Sequence, residues 1–156
     1  MNRAFTVAAL AVSTSALGLT PVMAAPPEPA DATGVIEGVC DFPVLLEVTG
    51  KVKVIEHGDR VLTVGPGQKA TVTNTETGES VRYNIAGSFH DAVQPDGSVI
   101  SKGTGRNLLF TEELGMFLTV GNVQFTVTED PTAPEGFAIT INSVQGKIID
   151  VCEVLA

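Results

Sequence analysis

Ser88, His90 and Asp91 supply the residue types of a hydrolytic triad within one short segment. Such a triad requires a nucleophile, a base and an orienting acid whose side chains converge in space. Side chains close together on one strand point to alternate faces of the sheet, so these three cannot converge. No Gly-x-Ser-x-Gly motif displays a serine on a sharp turn. We therefore interpret residues 88–91 as a polar strand or loop segment, and predict that the chain is not an enzyme and has no catalytic residues.

Two pairs of adjacent acids, Glu112-Glu113 and Glu129-Asp130, are candidates for glycoside hydrolysis. That chemistry uses two carboxylates about 5–10 Å apart across a sugar cleft. Both pairs lie at predicted strand ends beside turn residues, where acids are common. Sugar sites also present flat aromatic faces, but Trp is absent and Tyr83 is the only tyrosine. We interpret the acids as solvated charges, and the same composition argues against a lectin.

Ligands for a metal or a phosphate are also scarce. Apart from two cysteines, the soft ligands are His57, which lies in a Gly-Asp turn, and His90. No Asp-x-Asp-x-Asp-Gly loop is present for calcium. The glycine-rich residues 103–107 precede no helix that could cradle a phosphate, and predict a tight connection between strands. The sequence therefore predicts no metal and no cofactor.

The two cysteines, Cys40 and Cys152, lie near the two ends of the chain that remains after residue 24. In an exported chain an even pair predicts a disulfide. The competing readings are two free thiols or a metal site, and a metal would need further nearby Cys or His ligands. We predict the disulfide.

The N-terminus has the three parts of a secretory signal peptide. Arg3 supplies a positive charge, residues 4–19 are uncharged and mostly apolar, and small residues precede a cleavage point after Ala24. A retained membrane anchor is the alternative, but the run is short for a span of about 20 residues. We predict a signal peptide (1–24), a flexible Pro-rich leader (25–34) and one domain (35–156). The product is expected to be secreted and extracellular, without membrane attachment after cleavage.

The charge of the chain limits its partners. The formal net charge is −9, and it becomes −10 when Arg3 leaves with the signal peptide. An acidic surface without a cluster of Lys or Arg in the sequence repels phosphate backbones and anionic lipids. The sequence therefore argues against nucleic acid as a partner, and leaves an unknown extracellular protein or small molecule.

Strand patterns occupy most of the predicted domain. Apolar residues alternate with polar ones over residues 44–54, and Gly50 in the middle predicts a bend or bulge. In residues 116–127 the alternation changes parity, which a two-residue turn at Gly121-Asn122 or a bulge at the same place would explain. Residues 147–154 predict a last strand that carries Cys152.

Short strands, frequent turns and the lack of an amphipathic helix predict an antiparallel all-β domain with largely meander connections. If the first and last elements are joined by the disulfide, the ends of the meander meet. Both a β-barrel and a β-sandwich satisfy this condition, and the sequence does not separate them.

A succession of turn and strand motifs extends across nearly all of this domain. Its members are Cys40-Asp-Phe-Pro, Val48-Thr-Gly-Lys51, Pro66-Gly67, residues 71–78 (TVTNTETG), Val81, Pro95-Asp-Gly97, residues 103–108 (GTGRNL), Leu118-Thr-Val-Gly121, Phe125-Thr-Val127 and Asp150-Val-Cys152. The succession resembles a group of small secreted actinobacterial proteins of unknown function. The resemblance implies secretion and the shared cysteine pair, and it implies no catalytic or ligand-binding residues.

These observations lead to a functional hypothesis by elimination. We predict a secreted non-catalytic β module that presents loops to a protein or small molecule. One alternative is a carrier with an apolar ligand cavity inside a closed barrel. Another is a secreted protease inhibitor with a rigid exposed loop.

Overall fold

The computed structural model describes residues 25–111, 113–132 and 136–156. The predicted signal peptide, residues 1–24, lies outside these ranges. The strands are β1 (Glu28–Pro29), β2 (Ala32–Ile36), β3 (Val44–Thr49), β4 (Lys51–His57), β5 (Arg60–Val64), β6 (Lys69–Asn74), β7 (Ser80–Asn84), β8 (Ser88–Val93), β9 (Val99–Thr111), β10 (Gly115–Glu129) and β11 (Phe137–Asp150). One helical turn, α1 (Val151–Val154), follows the last strand.

The strands form two antiparallel sheets, so the prediction of an antiparallel all-β fold is confirmed. The larger sheet has the order β1-β4-β5-β8-β9-β10-β11 and the smaller one β2-β3-β6-β7. The arrangement is sandwich-like and is not a closed barrel. Strands β8 to β11 follow one another as a meander, whereas β5 pairs with β8 across an excursion of the chain into the smaller sheet.

The alternating run 44–54, predicted as one strand, is divided between the two sheets at Gly50. Its first part is β3 in the smaller sheet, and its second part is β4 in the larger one. The predicted bend is confirmed, because Gly50 has φ +126°. A Cβ atom at this position would lie 2.7 Å from the Cα atom of Gln68, which only glycine avoids.

Three strands are much longer than the short strands that the sequence predicted. Strands β9, β10 and β11 contain 13, 15 and 14 residues. At their centre Gly105, Gly121 and Gly146 lie side by side in register, and all three have positive φ. This glycine row lets each strand change direction without ending, because glycine tolerates a backbone conformation that other residues avoid.

The predicted turn at Gly121-Asn122 is therefore wrong, since β10 continues through both residues. The register on both sides of Gly121 is unbroken, so the alternative bulge is not there either. The shift in the β10–β11 ladder comes later, between Gln124 and Phe125. The parity changes in this run because the two halves of one bent strand bury opposite faces.

The main core lies between the smaller sheet and the first half of β10. Met116 and Leu118 pack there with Val44 and Val72, and all four side chains are at most 1% exposed. Tyr83 is buried in the same cluster, and Val81 and Ile85, which have the same parity as Tyr83, pack against the cluster.

The disulfide prediction is confirmed, with Cys40 and Cys152 bonded and their Cα atoms 5.4 Å apart. Cys152 lies in α1, however, and not in the predicted strand 147–154. The strand ends at Asp150, whose Oδ1 atom accepts a hydrogen bond from the backbone N–H of Glu153 and so caps a helical turn. The disulfide is compatible with an extracellular location.

Residues 25–34, predicted to be a flexible leader, contribute strand pairing instead. Glu28 and Pro29 pair with the start of β4, and β2 begins at Ala32 and pairs with β3. Edge strands need few apolar side chains, because main-chain hydrogen bonds hold them to the sheet. A proline is also tolerated where no second neighbour requires its missing N–H.

The titration of Tyr83 should report the integrity of the core. Burial raises the pKa of its hydroxyl above 10.0, and the nearby charge of Arg106 opposes this only in part. Because the folded state favours the neutral phenol, this contribution to stability is present below the unfolded pKa. It is lost as the pH rises through the folded pKa.

We expect the absorbance of tyrosinate to rise with a midpoint above pH 10, and the free energy of unfolding to fall over the same range. The chain contains one tyrosine and no tryptophan, so the signal has one source. The denatured protein is the control, with a midpoint near 10. A native midpoint at or below that of the denatured protein would contradict the prediction.

Candidate functional site

Ser88, His90 and Asp91, which have the residue types of a hydrolytic triad, do not come together in the structure. Ser88, His90 and Asp91 all lie on β8, where Ser88 and His90 face one side of the sheet and Asp91 the other. The hydroxyl of Ser88 lies 2.7 Å from that of Thr104. Asp91 instead accepts a hydrogen bond from Ser101. The three side chains therefore share no hydrogen bond in the described part of the chain.

The other sequence candidates are dispersed. His57 is exposed at the end of β4, and Glu113 is exposed in the turn before β10, whereas Glu112 lies outside the described residues. Glu129 ends β10, and Asp130 accepts hydrogen bonds from the backbone and hydroxyl of Thr132. Across residues 25–111, 113–132 and 136–156, no group of three or more His, Cys, Asp or Glu is placed to hold a metal ion.

The glycine-rich residues 103–107 are part of β9, and not the predicted connection between strands. Arg106 donates from Nε to the carbonyl of Asn84, 3.0 Å away, which ties this segment to the end of β7. Within the described ranges, no helix has the length and apolar character that crossing a membrane requires.

A groove that the sequence analysis did not identify lies on one face of the larger sheet, which we call the groove face. Its volume is about 320 Å³. Four strands supply its lining, which consists of Thr63 from β5, Phe89 and Asp91 from β8, Val99, Ser101 and Leu109 from β9, and Phe125 and Val127 from β10. It is open to solvent along its length, so a ligand could enter without movement of the backbone.

Strand register explains why these side chains meet. Asp91 lies opposite Ser101, and Ser101 lies opposite Phe125, so the three form one row across β8, β9 and β10. Val99 and Val127 form the next row. Residues directly opposite one another in an antiparallel sheet point to the same face, which gives a continuous lining.

The glycine row completes the groove. Leu109 and Ser101 have the same parity on β9, but they lie on opposite sides of Gly105. In a straight strand two residues so far apart would not line one groove. Both do so here because β9 changes direction at this glycine. The bend therefore brings the second half of β9 towards the apolar side chains of the first half.

Two aromatic rings in the lining of the groove contact each other. The centroids of the Phe89 and Phe125 rings are 6.2 Å apart, and their planes make an angle of 76°. This edge-to-face geometry is favourable for aromatic pairs. Gly103 lies between their strands, and a Cβ atom there would lie 3.1 Å from the Phe89 ring and 2.9 Å from Val123. The missing side chain thus leaves room for the ring.

Asp91 and Ser101 form a hydrogen-bonded polar pair in this mostly apolar lining, and Thr63 supplies one further hydroxyl. Ser101 is 3% exposed, and its hydroxyl donates to Oδ1 of Asp91 over 2.5 Å. The Asp91 side chain is half-buried. No Lys, Arg or His among the described residues forms an ion pair with it. The groove thus combines apolar walls with one carboxylate held by a neighbouring hydroxyl.

Two other depressions have similar volumes but different walls. One of about 330 Å³ follows β4 beside the chain from Ala25 to Glu28. The other, of about 350 Å³, lies mainly on the opposite face, where Ile55 and Leu62 are flanked by His57, Arg60 and His90. Val61 and Asp91 also contribute to its lining. Neither includes an aromatic pair, so the groove on the groove face has the more ligand-like lining of apolar walls and a few converging polar groups.

Comparison with known proteins adds no relative. No family model matches the chain, and neither a curated protein nor a solved structure shows significant similarity to it.

Proposed function

We propose that this protein is a non-catalytic extracellular binding module that takes a small, largely apolar molecule in the groove. The observation that carries the proposal is the groove itself, whose lining combines five apolar side chains from three strands with the Asp91–Ser101 pair and the hydroxyl of Thr63. Small-molecule sites have this composition, with predominantly hydrophobic and aromatic walls and few polar groups. The site is on a sheet face, so loops are not its main component.

The position of the site distinguishes this proposal from a barrel carrier. A barrel carrier would enclose its ligand in an interior cavity, whereas the larger sheet, as described over residues 25–111, 113–132 and 136–156, does not close into a barrel. A molecule in the groove keeps part of its surface in water. We therefore infer a binder that exchanges its ligand readily, and not a carrier that sequesters it.

The supporting elements favour a site formed before the ligand arrives. All of its lining residues lie on strands that pair with a neighbouring strand on both sides. The contact between Phe89 and Phe125 restrains both rings. Sites on paired strands hold their side chains more firmly than sites on loops. The cost of ordering the site on binding is correspondingly small.

Secretion is part of the proposal and has separate support. The Cys40–Cys152 disulfide is of the kind that persists in oxidising compartments and is rare in the cytosol. The N-terminal pattern that ends at Ala24 is a second, independent indication of export. N-terminal sequencing of protein from the culture medium should begin at Ala25.

Binding is tested with a neutral fluorescent dye whose emission increases in apolar surroundings. We expect saturable binding to the native protein, and we expect Val99→Asp to weaken it at least about tenfold, because a charge would replace an apolar wall. Ile100→Asp is the matched control, since Ile100 is the next residue of β9 and faces the opposite side.

We expect Ile100→Asp to change the dissociation constant less than about twofold, with thermal unfolding confirming that both variants are folded. Equal weakening by the two substitutions would contradict a site in the groove. So would the absence of saturable dye binding to the native protein.

A further inference from the structure

We propose that the groove selects ligands that carry a positively charged amine at one end, and that Asp91 binds this amine. The inference rests on the proposed function and specifies the chemistry of its ligand. It follows from the place of a single carboxylate in a mostly apolar site, and from the absence of an ion pair with that carboxylate among the described residues.

Covering Asp91 with a ligand has an energetic cost. A ligand that fills the groove removes water from this carboxylate. A carboxylate that loses water without gaining a partner is strongly destabilising, whereas one that gains a cation and its N–H groups is not. Covering Asp91 would therefore weaken the binding of a wholly apolar ligand, whereas an amine would offset the cost of desolvating the carboxylate.

The cations that neighbour Asp91 in sequence and in strand register lie on the other face of the sheet. His90 and Lys102 flank Asp91 and Ser101 in sequence, but their odd–even alternation places them on the opposite face of the sheet. Val61 is the β5 residue paired with Asp91 and points to the same face. Arg60, the residue before Val61, therefore points to the opposite face. Because these neighbouring cations face away, the ligand has to supply the positive group.

One oxygen of the Asp91 carboxylate remains available to a ligand as an acceptor. Ser101 donates to Oδ1, which fixes the plane of the carboxyl group. The second oxygen, Oδ2, accepts no hydrogen bond from the described residues. A primary or secondary ammonium has at least two N–H donors and matches this acceptor. Its apolar portion would then lie against Val99, Val127 and the Phe89–Phe125 pair.

The experiment compares octylamine with 1-octanol, which share one alkyl chain and differ in the charge of the head group. Each is titrated as a competitor of the neutral dye at a pH where the amine is protonated. For the native protein we expect octylamine to compete at least about ten times more strongly, since hydrogen bonds to charged groups are worth more than neutral ones.

Asp91→Asn removes the charge but keeps an oxygen that can accept from Ser101. We expect this variant to lower the preference for the amine to about twofold or less. Asp59→Asn is the matched control, because it removes the same charge from the turn between β4 and β5, away from the groove. It should keep the native preference, which excludes general attraction to an acidic protein.

The preference of the native protein for octylamine over 1-octanol tests the amine inference even if Asp91→Asn fails to fold. Equal competition by octylamine and octanol would overturn the amine inference and leave the groove as a ligand site. A preference that survives in folded Asp91→Asn would overturn it as well. Failure of both compounds and of the dye to bind would overturn the proposed function together with the inference.

Discussion

Replacement of both cysteines by serine is expected to lower the free energy of unfolding by about 4–5 kcal/mol. Cys40 and Cys152 are separated by 112 residues, and a crosslink that closes so long a loop removes much conformational entropy from the unfolded chain. For a domain of this size that loss is a large part of the total stability. Denaturation with urea, followed by circular dichroism, measures the difference between the variant and the oxidised protein.

The native structure gives the disulfide a second, local effect. It joins the bend around Val39 to α1, and Val39, Val151 and Leu155 are all buried in the main core. We therefore expect the serine variant to lose order first at its C-terminal turn. A side-chain amide supports the same turn, since Asn74 donates to the carbonyl of Leu155 over 2.9 Å.

The control for this prediction is a reductant. Reduction should destabilise the native protein by nearly the same amount and should leave the serine variant unchanged. A loss below about 1 kcal/mol would show that the unfolded chain is already restricted without the crosslink, and would contradict the prediction.

The all-β fold could be predicted because its signals are local. Period-two alternation identifies the strands, and Pro95-Asp96-Gly97 supplies the residues that a tight turn requires. The disulfide could be predicted because the chain has only two cysteines. These features depend on neighbouring residues or on simple counting, and not on the tertiary arrangement.

The bends could not be predicted in the same way, because a glycine in a strand has several structural uses. Gly50 transfers the chain between sheets, whereas Gly121 bends a strand within its sheet. The difference is set by what each residue meets across the structure. Gly50 lies against the backbone of Gln68, and Gly121 lies between two other glycines.

The sequence is sufficient to predict one pair of groove residues. The turn at residues 95–97 joins β8 to β9, and counting outward from it pairs Asp91 with Ser101. The remaining members were not accessible, because Thr63 joins through the nonconsecutive pairing of β5 with β8, and Leu109 joins through the bend at Gly105. The sequence neighbours of Asp91 suggest a triad, whereas its partner in the structure is Ser101 and the groove that it lines is mostly apolar.

A second substitution with a large expected effect lies in the glycine row. We expect Gly121→Ala to lower the free energy of unfolding by about 3–5 kcal/mol. Its φ of +116° is strained for any residue with a Cβ atom, which costs about 1–3 kcal/mol. The new atom would also overlap the carbonyl oxygen of Gln145 and lie 3.1 Å from the Cα atom of Gly146. Because both are backbone atoms of a paired strand, relief requires movement of β11, and such overpacking adds about 1–3 kcal/mol.

Gly58→Ala separates the two contributions to this effect. Gly58 also has positive φ, +64°, but a Cβ atom there would meet nothing within 4 Å. It should therefore lose only the conformational part, about 1–2 kcal/mol, and leave dye binding intact. Gly121→Ala should weaken dye binding as well, because the bend of these strands brings Leu109 to the groove. Equal destabilisation by the two substitutions, or full dye binding by folded Gly121→Ala, would show that the close contact with β11 does not hold the bend in place.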